Sequence, residues 1–220
     1  MNANDTDKLL RTTRSVRKRL DFTKPVPAEL IEECIDISFQ APTGSNTQGW
    51  SVVVITDEDK RKKLGEIYRE GIQVYAGMRE SEGFGFPEGD PRAEQMPRVM
   101  ESAFYLAENF EKAPAMVLFC VDGRVEEMGA FAQASIYGSI IPAAWSFMLA
   151  GRSRGLGMAW TTIHLAYEKK AAEVLGLPDT VTQAVLFPVA YYTGTDFKEA
   201  KRIDPKSLTH WNSWGARREG

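Results

Sequence analysis

The sequence predicts an α+β fold, one sheet flanked by helices. Three observations lead there: helical periodicity precedes the first clear strand pattern, the strand-like runs are short and β-branched, and their connections are too long for a hairpin meander. The 220 residues suit a single domain over 1–220, and at 43% hydrophobic and 26% charged they can bury a sizeable core. A net charge of -3 supplies no basic field for nucleic acid. No charged n-region with an apolar h-region opens the chain, so a cytoplasmic location is expected.

Residues 1–6 are polar and expected to be flexible, and a helix is expected over Asp7 to Leu20. Pro27 suits the first position of a second helix, whose apolar residues Leu30, Ile31, Cys34 and Ile35 recur at helical spacing as far as Gln40. "APTGSNTQGW", from Ala41 to Trp50, reads as a loop, and "WSVVVIT" as a buried strand. Asp57 is placed to cap a helix ending near Tyr68. The stretch 77–97 is rich in Gly, Pro and acid but carries Phe84 and Phe86, so a lid loop is expected there. A helix over Arg98 to Phe110, the strand "AMVLFCVDG", a long uncharged helix over Gly129 to Gly151, the strand "GMAWTTIHL", a helix in "YEKKAAEVLGL" and the strand "TQAVLFPVAYYTG" complete the order.

The uncharged helix is long enough to cross a bilayer, but Gln133, three serines and Pro142 fit better with the buried centre of a large or dimeric soluble protein. No membrane association is expected. Cys34 and Cys120 sit in apolar runs and read as buried thiols. His164 and His210 have no neighbours at metal-ligand spacing, so no metal is expected. There is no GxxxxGK[ST] loop, no dinucleotide fingerprint and no nucleophile elbow. An enzyme lacking its own acid, base or nucleophile takes its chemistry from a cofactor. On the expected first helix, Arg14 and Arg17 fall on one face beside Ser15; by itself the stretch fits a solvated basic face best, and it also suits a phosphate or planar anion.

In order along the chain, "TRSVR", "APTGSNTQGW", "GLGMAWTT" and "AKRIDP…WNSWG" resemble the nitroreductase family of FMN-dependent oxidoreductases, over about residues 10 to 215. Thr13, Arg19, Thr43 and Gly49 depart from the usual pattern. The resemblance implies a mostly antiparallel sheet in an intertwined homodimer, with FMN bound between subunits. It implies that Arg14, Ser15 and Arg17 hold the phosphate, ribityl hydroxyls and pyrimidine edge, with Lys201 and Arg202 completing the phosphate clamp. Pro42, Thr43, Gly44 and Asn46 would lie against the ring and ribityl chain, commonly of the flavin held mainly by the other subunit. Thr161, Thr162 and Ile163 would run past the flavin N5, and Ser139 would add a polar contact. "LTHWNSWG", with Trp211 and Trp214, would wrap onto the partner. The implied activity is ping-pong: NADH or NADPH gives hydride to FMN, which then reduces an electron-poor small molecule such as a nitroaromatic or quinone. Two alternatives stay open: chemistry of the iodotyrosine deiodinase and dimethylbenzimidazole synthase branch, and a non-catalytic flavin-binding dimer.

Overall fold

A computed structural model describes residues 3–81, 86, 90 and 92–218 of the chain. It divides into two compact units, a terminal one (1–13 with 195–220) and a main one (14–194).

In the terminal unit, α1 (Ala3–Thr12) begins inside the stretch expected to fray. Lys8 pairs with Asp196 at 3.0 Å and Arg11 with Glu199 at 3.7 Å. The helix stops eight residues before Leu20. Thr12 and Thr13 turn their hydroxyls back onto the carbonyls of Lys8 and Leu9, at 2.7 Å each. Hydroxyls bonded back in this way favour helix ends.

The main unit is built on an antiparallel sheet. Its strands are β1 (Leu20–Asp21), β2 (Trp50–Ile55), β3 (Ala115–Asp122), β4 (Leu156–Met158) and β5 (Val181–Tyr192). The order is β1-β5-β3-β2, and β4 also pairs with β5. β3 and β5 form the centre, from Ala115↔Val189 to Asp122↔Val181, with a register shift between Phe119 and Cys120. β2 was expected to be buried, but among the described residues it pairs only with β3, and as an edge strand it leaves Ser51 and Val54 exposed. β4 is much shorter than the expected "GMAWTTIHL". The chain leaves the ladder after Met158, touches β5 once more at Thr161↔Leu186, and turns into a 3-10 helix at Ile163–Tyr167.

Helices α2 (Ala28–Ser38) and α5 (Ala130–Ser153) cover one face. There Ile31, Cys34, Ala143 and Phe147 pack against Val117, Phe119 and Phe187. Three of these rings touch one another, with centroids 5.3 to 5.9 Å apart. Strand side chains alternate between faces, so the buried Met116, Leu118 and Leu186 point the other way. α5 is long and apolar enough to span a membrane by composition, yet its C-terminal half is packed into this core.

The remaining helices are α3 (Glu58–Ser81), α4 (Met96–Asn109) and α6 (Glu168–Leu175), with α7 (Pro205–Leu208) in the terminal unit. Asp57 caps α3, accepting from the Lys60 N–H at 2.9 Å. α3 continues well past Tyr68, so 77–81 are helical rather than the start of a lid. Ala93–Gln95 form a 3-10 turn leading into α4. Of the expected lid, 82–85, 87–89 and 91, including Phe84, lie outside the described residues. Phe86 sits 4.5 Å beneath the Arg92 guanidinium, which Asp90 pairs at 2.6 Å.

Candidate functional site

The expected site residues of the main unit fall into two groups. The first joins "RSVR" to the end of β4. Arg14 and Arg17 do not share a helix face, because 13–18 form no helix. The Val16 N–H instead donates to the Met158 carbonyl at 2.9 Å, and the Trp160 N–H donates to the Ser15 hydroxyl at 3.1 Å. Tertiary pairing has overridden helix propensity here. The Arg17 guanidinium reaches the Ser102 hydroxyl on α4 at 3.5 Å, and Lys18 pairs with Glu101 at 2.5 Å.

Arg14 differs. Its Nε is buried and has no hydrogen-bond partner among the described residues. A buried donor without a partner costs free energy, more so on a charged group. An anion is the partner such a guanidinium calls for.

The same group continues into Thr161, Thr162 and Ile163. Thr161 is buried and locked to β5: its hydroxyl donates to the Leu186 carbonyl at 2.6 Å, and its own carbonyl accepts from the Leu186 N–H at 3.0 Å. Its hydroxyl is thus committed to the fold. Thr162 is exposed, and its hydroxyl makes no hydrogen bond among the described residues. His164 follows, fully buried.

The second group is the loop after α2. Ser45, Asn46 and Gln48 have φ of 51°, 54° and 50°, three non-glycine residues in the left-handed region within four positions. Each costs about 1 kcal/mol or more, and clustered strain of this kind marks candidate functional loops. The loop is clamped from within: the Gln48 N–H donates to the Thr43 hydroxyl at 3.2 Å, and its side-chain amide donates to Asn46 Oδ1 at 3.0 Å. Gln48 is a positioning residue that sequence reasoning missed. Trp50 stacks on Phe39 at 4.9 Å and anchors the loop's far end. Pro42, Ser45 and Asn46 are exposed, Thr43 and Gly44 half-buried.

Ser139 holds this loop onto α5. Its hydroxyl accepts from the Gly44 N–H at 2.9 Å and donates to the Ser135 carbonyl at 2.7 Å. A Cβ at Gly44 would lie 2.5 Å from Ser135 Oγ, so glycine permits the close approach. Ser139 was expected as a flavin contact; here its hydroxyl is engaged in both directions by protein. Ser139→Ala strands the Gly44 N–H, and an unfolding midpoint in urea is expected to report a loss of about 1–2 kcal/mol.

The two groups meet α5 differently. The loop sits at Ser139, whereas the start of β4 meets α5 around Gly151, and the chain then runs back along β5 to Thr161. Lys201 and Arg202 belong to the terminal unit, where both are exposed.

Comparison with known proteins bears on this arrangement. The model described as "Nitroreductase family" matches residues 10–191. The chain belongs to the nitroreductase family. Among nitroreductase relatives, a chloronitrobenzene nitroreductase of Comamonas testosteroni is 26% identical over 79% of this chain and 80% of its own length. An iodotyrosine deiodinase of Nematostella vectensis is 35% identical over 34% of this chain, a match that spans only 28% of that relative's length. The solved structure of an FMN and NADPH-dependent nitroreductase from sphigopyxis sp. strain HMH superposes with a TM-score of 0.68 at 19% identity, covering 97% of this chain and 100% of that one. That likeness shows the nitroreductase fold, and the antiparallel sheet flanked by helices is the fold the sequence predicted.

Proposed function

We propose that this chain is one subunit of an FMN-dependent homodimeric reductase, which takes hydride from NADH or NADPH and reduces an electron-poor small molecule such as a nitroaromatic or quinone. The observation that carries the reading is the buried, unpartnered Nε of Arg14. It lies beside a Ser15 hydroxyl already drawn to the Trp160 N–H, in a family whose members include FMN enzymes.

When bound, FMN supplies hydride transfer at N5, so the protein needs no acid, base or nucleophile of its own. Arg14 binds the phosphate or the pyrimidine edge, and Arg17, held loosely by Ser102, keeps donors for the same anion. A guanidinium at the pyrimidine edge favours the form in which that edge carries negative charge. Backbone groups of Thr161 to Ile163 line the redox edge, with the exposed Thr162 hydroxyl available as a donor.

The loop Pro42–Asn46 serves the flavin of the second copy. The outer surface of α5 beside this loop supports this division. Phe131, Ala134, Gly138, Ile141 and the half-buried Trp145 recur at spacings of three and four without a charge, with Phe131 91% exposed. Such a seam suits self-association of two helices. Trp211 and Trp214, exposed in the terminal unit, suit anchors on the partner. Ile141→Glu places a charge in this seam. Light scattering is expected to show a dimer for the parent and a monomer for the variant; a variant still dimeric places the interface elsewhere.

The test of the activity is an anaerobic absorbance spectrum with FMN supplied, before and after NADH and then NADPH. Bands that bleach with either nucleotide and return with a nitroaromatic or quinone support the reductase. Flavin that binds but stays oxidised overturns the nucleotide-dependent reading.

A second reading has support from the 35% identical stretch shared with a deiodinase. In it the acceptor is a halogenated phenol. Return of the bleached bands on adding 3-iodotyrosine, but not a nitroaromatic, would favour it.

A further inference from the structure

Thr162 is suspended between two anchors. One is Thr161, held on β5 by its two bonds to Leu186. The other is Ile163, which lies against the middle of α3 at Gly71. A Cβ built on Gly71 would stand 2.5 Å from the Ile163 carbonyl oxygen, 2.9 Å from its Cγ2 and 3.3 Å from its carbonyl carbon. Two of those atoms are backbone, in the first turn of a 3-10 helix, and cannot swing aside as the end of a long side chain would. Glycine is disfavoured inside a helix relative to alanine, yet α3 runs on through Gly71 to Ser81.

The geometry points to Gly71 as a positioning residue for Thr161–Ile163: the missing side chain lets α3 close on the Ile163 backbone and so sets where Thr162 is presented. Its consequence for chemistry rests on the FMN reading above. Groups that line a redox edge must be held within a fraction of an ångström to keep their effect on the cofactor. A methyl group at Gly71 displaces the segment from the α3 side while the β5 anchor stays fixed, so the shift concentrates at Thr162 and Ile163.

The control lies on the same helix. A Cβ at Gly77 would meet nothing within 4 Å among the described residues. Gly77→Ala therefore raises helix propensity without crowding, whereas Gly71→Ala does both. Ile163→Ala loosens the same contact from the other side and serves should Gly71→Ala fail to fold.

Two measurements on the full chain decide the matter. Amide hydrogen exchange of 161–167 without flavin is expected to quicken about tenfold or more in Gly71→Ala and Ile163→Ala and to stay at the parent rate in Gly77→Ala. With FMN bound, Gly71→Ala is expected to shift the two-electron midpoint potential by about 30 mV, a factor of about ten in the equilibrium, and to alter the visible bands. Gly77→Ala should leave both in place. A lowered melting temperature in Gly71→Ala with unchanged potential and bands would mean that Gly71 only packs, and would overturn the proposal. Unchanged exchange in both contact variants would overturn it too. Should the parent take up no FMN, the flavin reading fails by itself, and the exchange result still decides whether Gly71 places the segment.

Discussion

Arg14→Met is expected to abolish FMN retention while leaving the flavin-free protein as stable as the parent or more so. The two effects have opposite signs because they concern one group in two states. Without a ligand, the guanidinium carries a buried Nε with no partner, and such a donor costs about 1–3 kcal/mol. Methionine fills similar space without that cost. With a dianionic ligand, the same guanidinium makes charge-assisted bonds, so its removal is expected to weaken binding by about 3 kcal/mol, roughly two orders of magnitude in Kd. Flavin fluorescence titration reads the first effect, and urea unfolding of the apo protein reads the second. A variant that binds FMN like the parent would remove Arg14 from the site. A variant that loses FMN only because the apo protein is several kcal/mol less stable would make Arg14 structural, and the reading built on its unpartnered nitrogen would fail.

Arg61 shows that an inward-reaching arginine can be satisfied by the protein alone. Arg61 donates to the carbonyls of Glu111 and Ala113 at 2.7 and 2.8 Å, and so satisfies the chain around the 3-10 turn after α4. Its Nε also donates to the Thr56 carbonyl at 3.2 Å. Arg61 is explained within the fold, whereas Arg14 is not.

What could be read from the sequence divides along physical lines. The buried centre was legible because it depends on local composition. The β-branched runs became β3 and β5, and the charge-free stretch became α5, with its capping Gly129 one residue before the helix. The end of the first helix was not legible. Arg14 to Leu20 keeps a tolerable helical pattern, and what draws it away is the Met158 carbonyl, far along the chain. α3 runs on past the expected end near Tyr68 and through Gly71, where the missing side chain lets it close on Ile163, a contact far along the chain. The loop's content was legible, but its strain was not, since Ser45, Asn46 and Gln48 have ordinary side chains and only their φ angles reveal it. Nothing in the run "TTIHLAY" marks its histidine as fully buried.

That histidine carries the second large effect. His164 is 0% exposed, and neither ring nitrogen has a hydrogen-bond partner among the described residues. Burial pushes its pKa down from the ordinary 6.5 to about 4, against a smaller opposing pull from Glu168. Glu168 is itself held by Arg124 at 2.8 Å, and on the α3 side the nearby pair Glu70–Lys170 is closed at 2.6 Å, so no free carboxylate of these two pairs is left to hold an imidazolium. The sign follows. Above pH 6.5 the ring is neutral in both folded and unfolded chains and costs nothing by titration. Between 6.5 and 4 the unfolded chain takes up a proton that the folded one refuses, so stability falls with pH by about 1.4 kcal/mol per unit, about 3 kcal/mol in all. Below about 4 this contribution is flat. Urea midpoints from pH 7.5 to 4 are expected to drop steeply for the parent and less steeply for His164→Leu, with the two curves converging near neutrality apart from a constant offset. Parallel curves would mean that the ring is hydrated or paired in solution. Because His164 directly follows Ile163, protonation of the folded ring bears on function: as pH falls toward about 4, where the buried ring itself begins to take up a proton, the Thr161–Ile163 segment is expected to loosen and FMN to dissociate. His164→Leu should hold its flavin about one pH unit further into acid than the parent does.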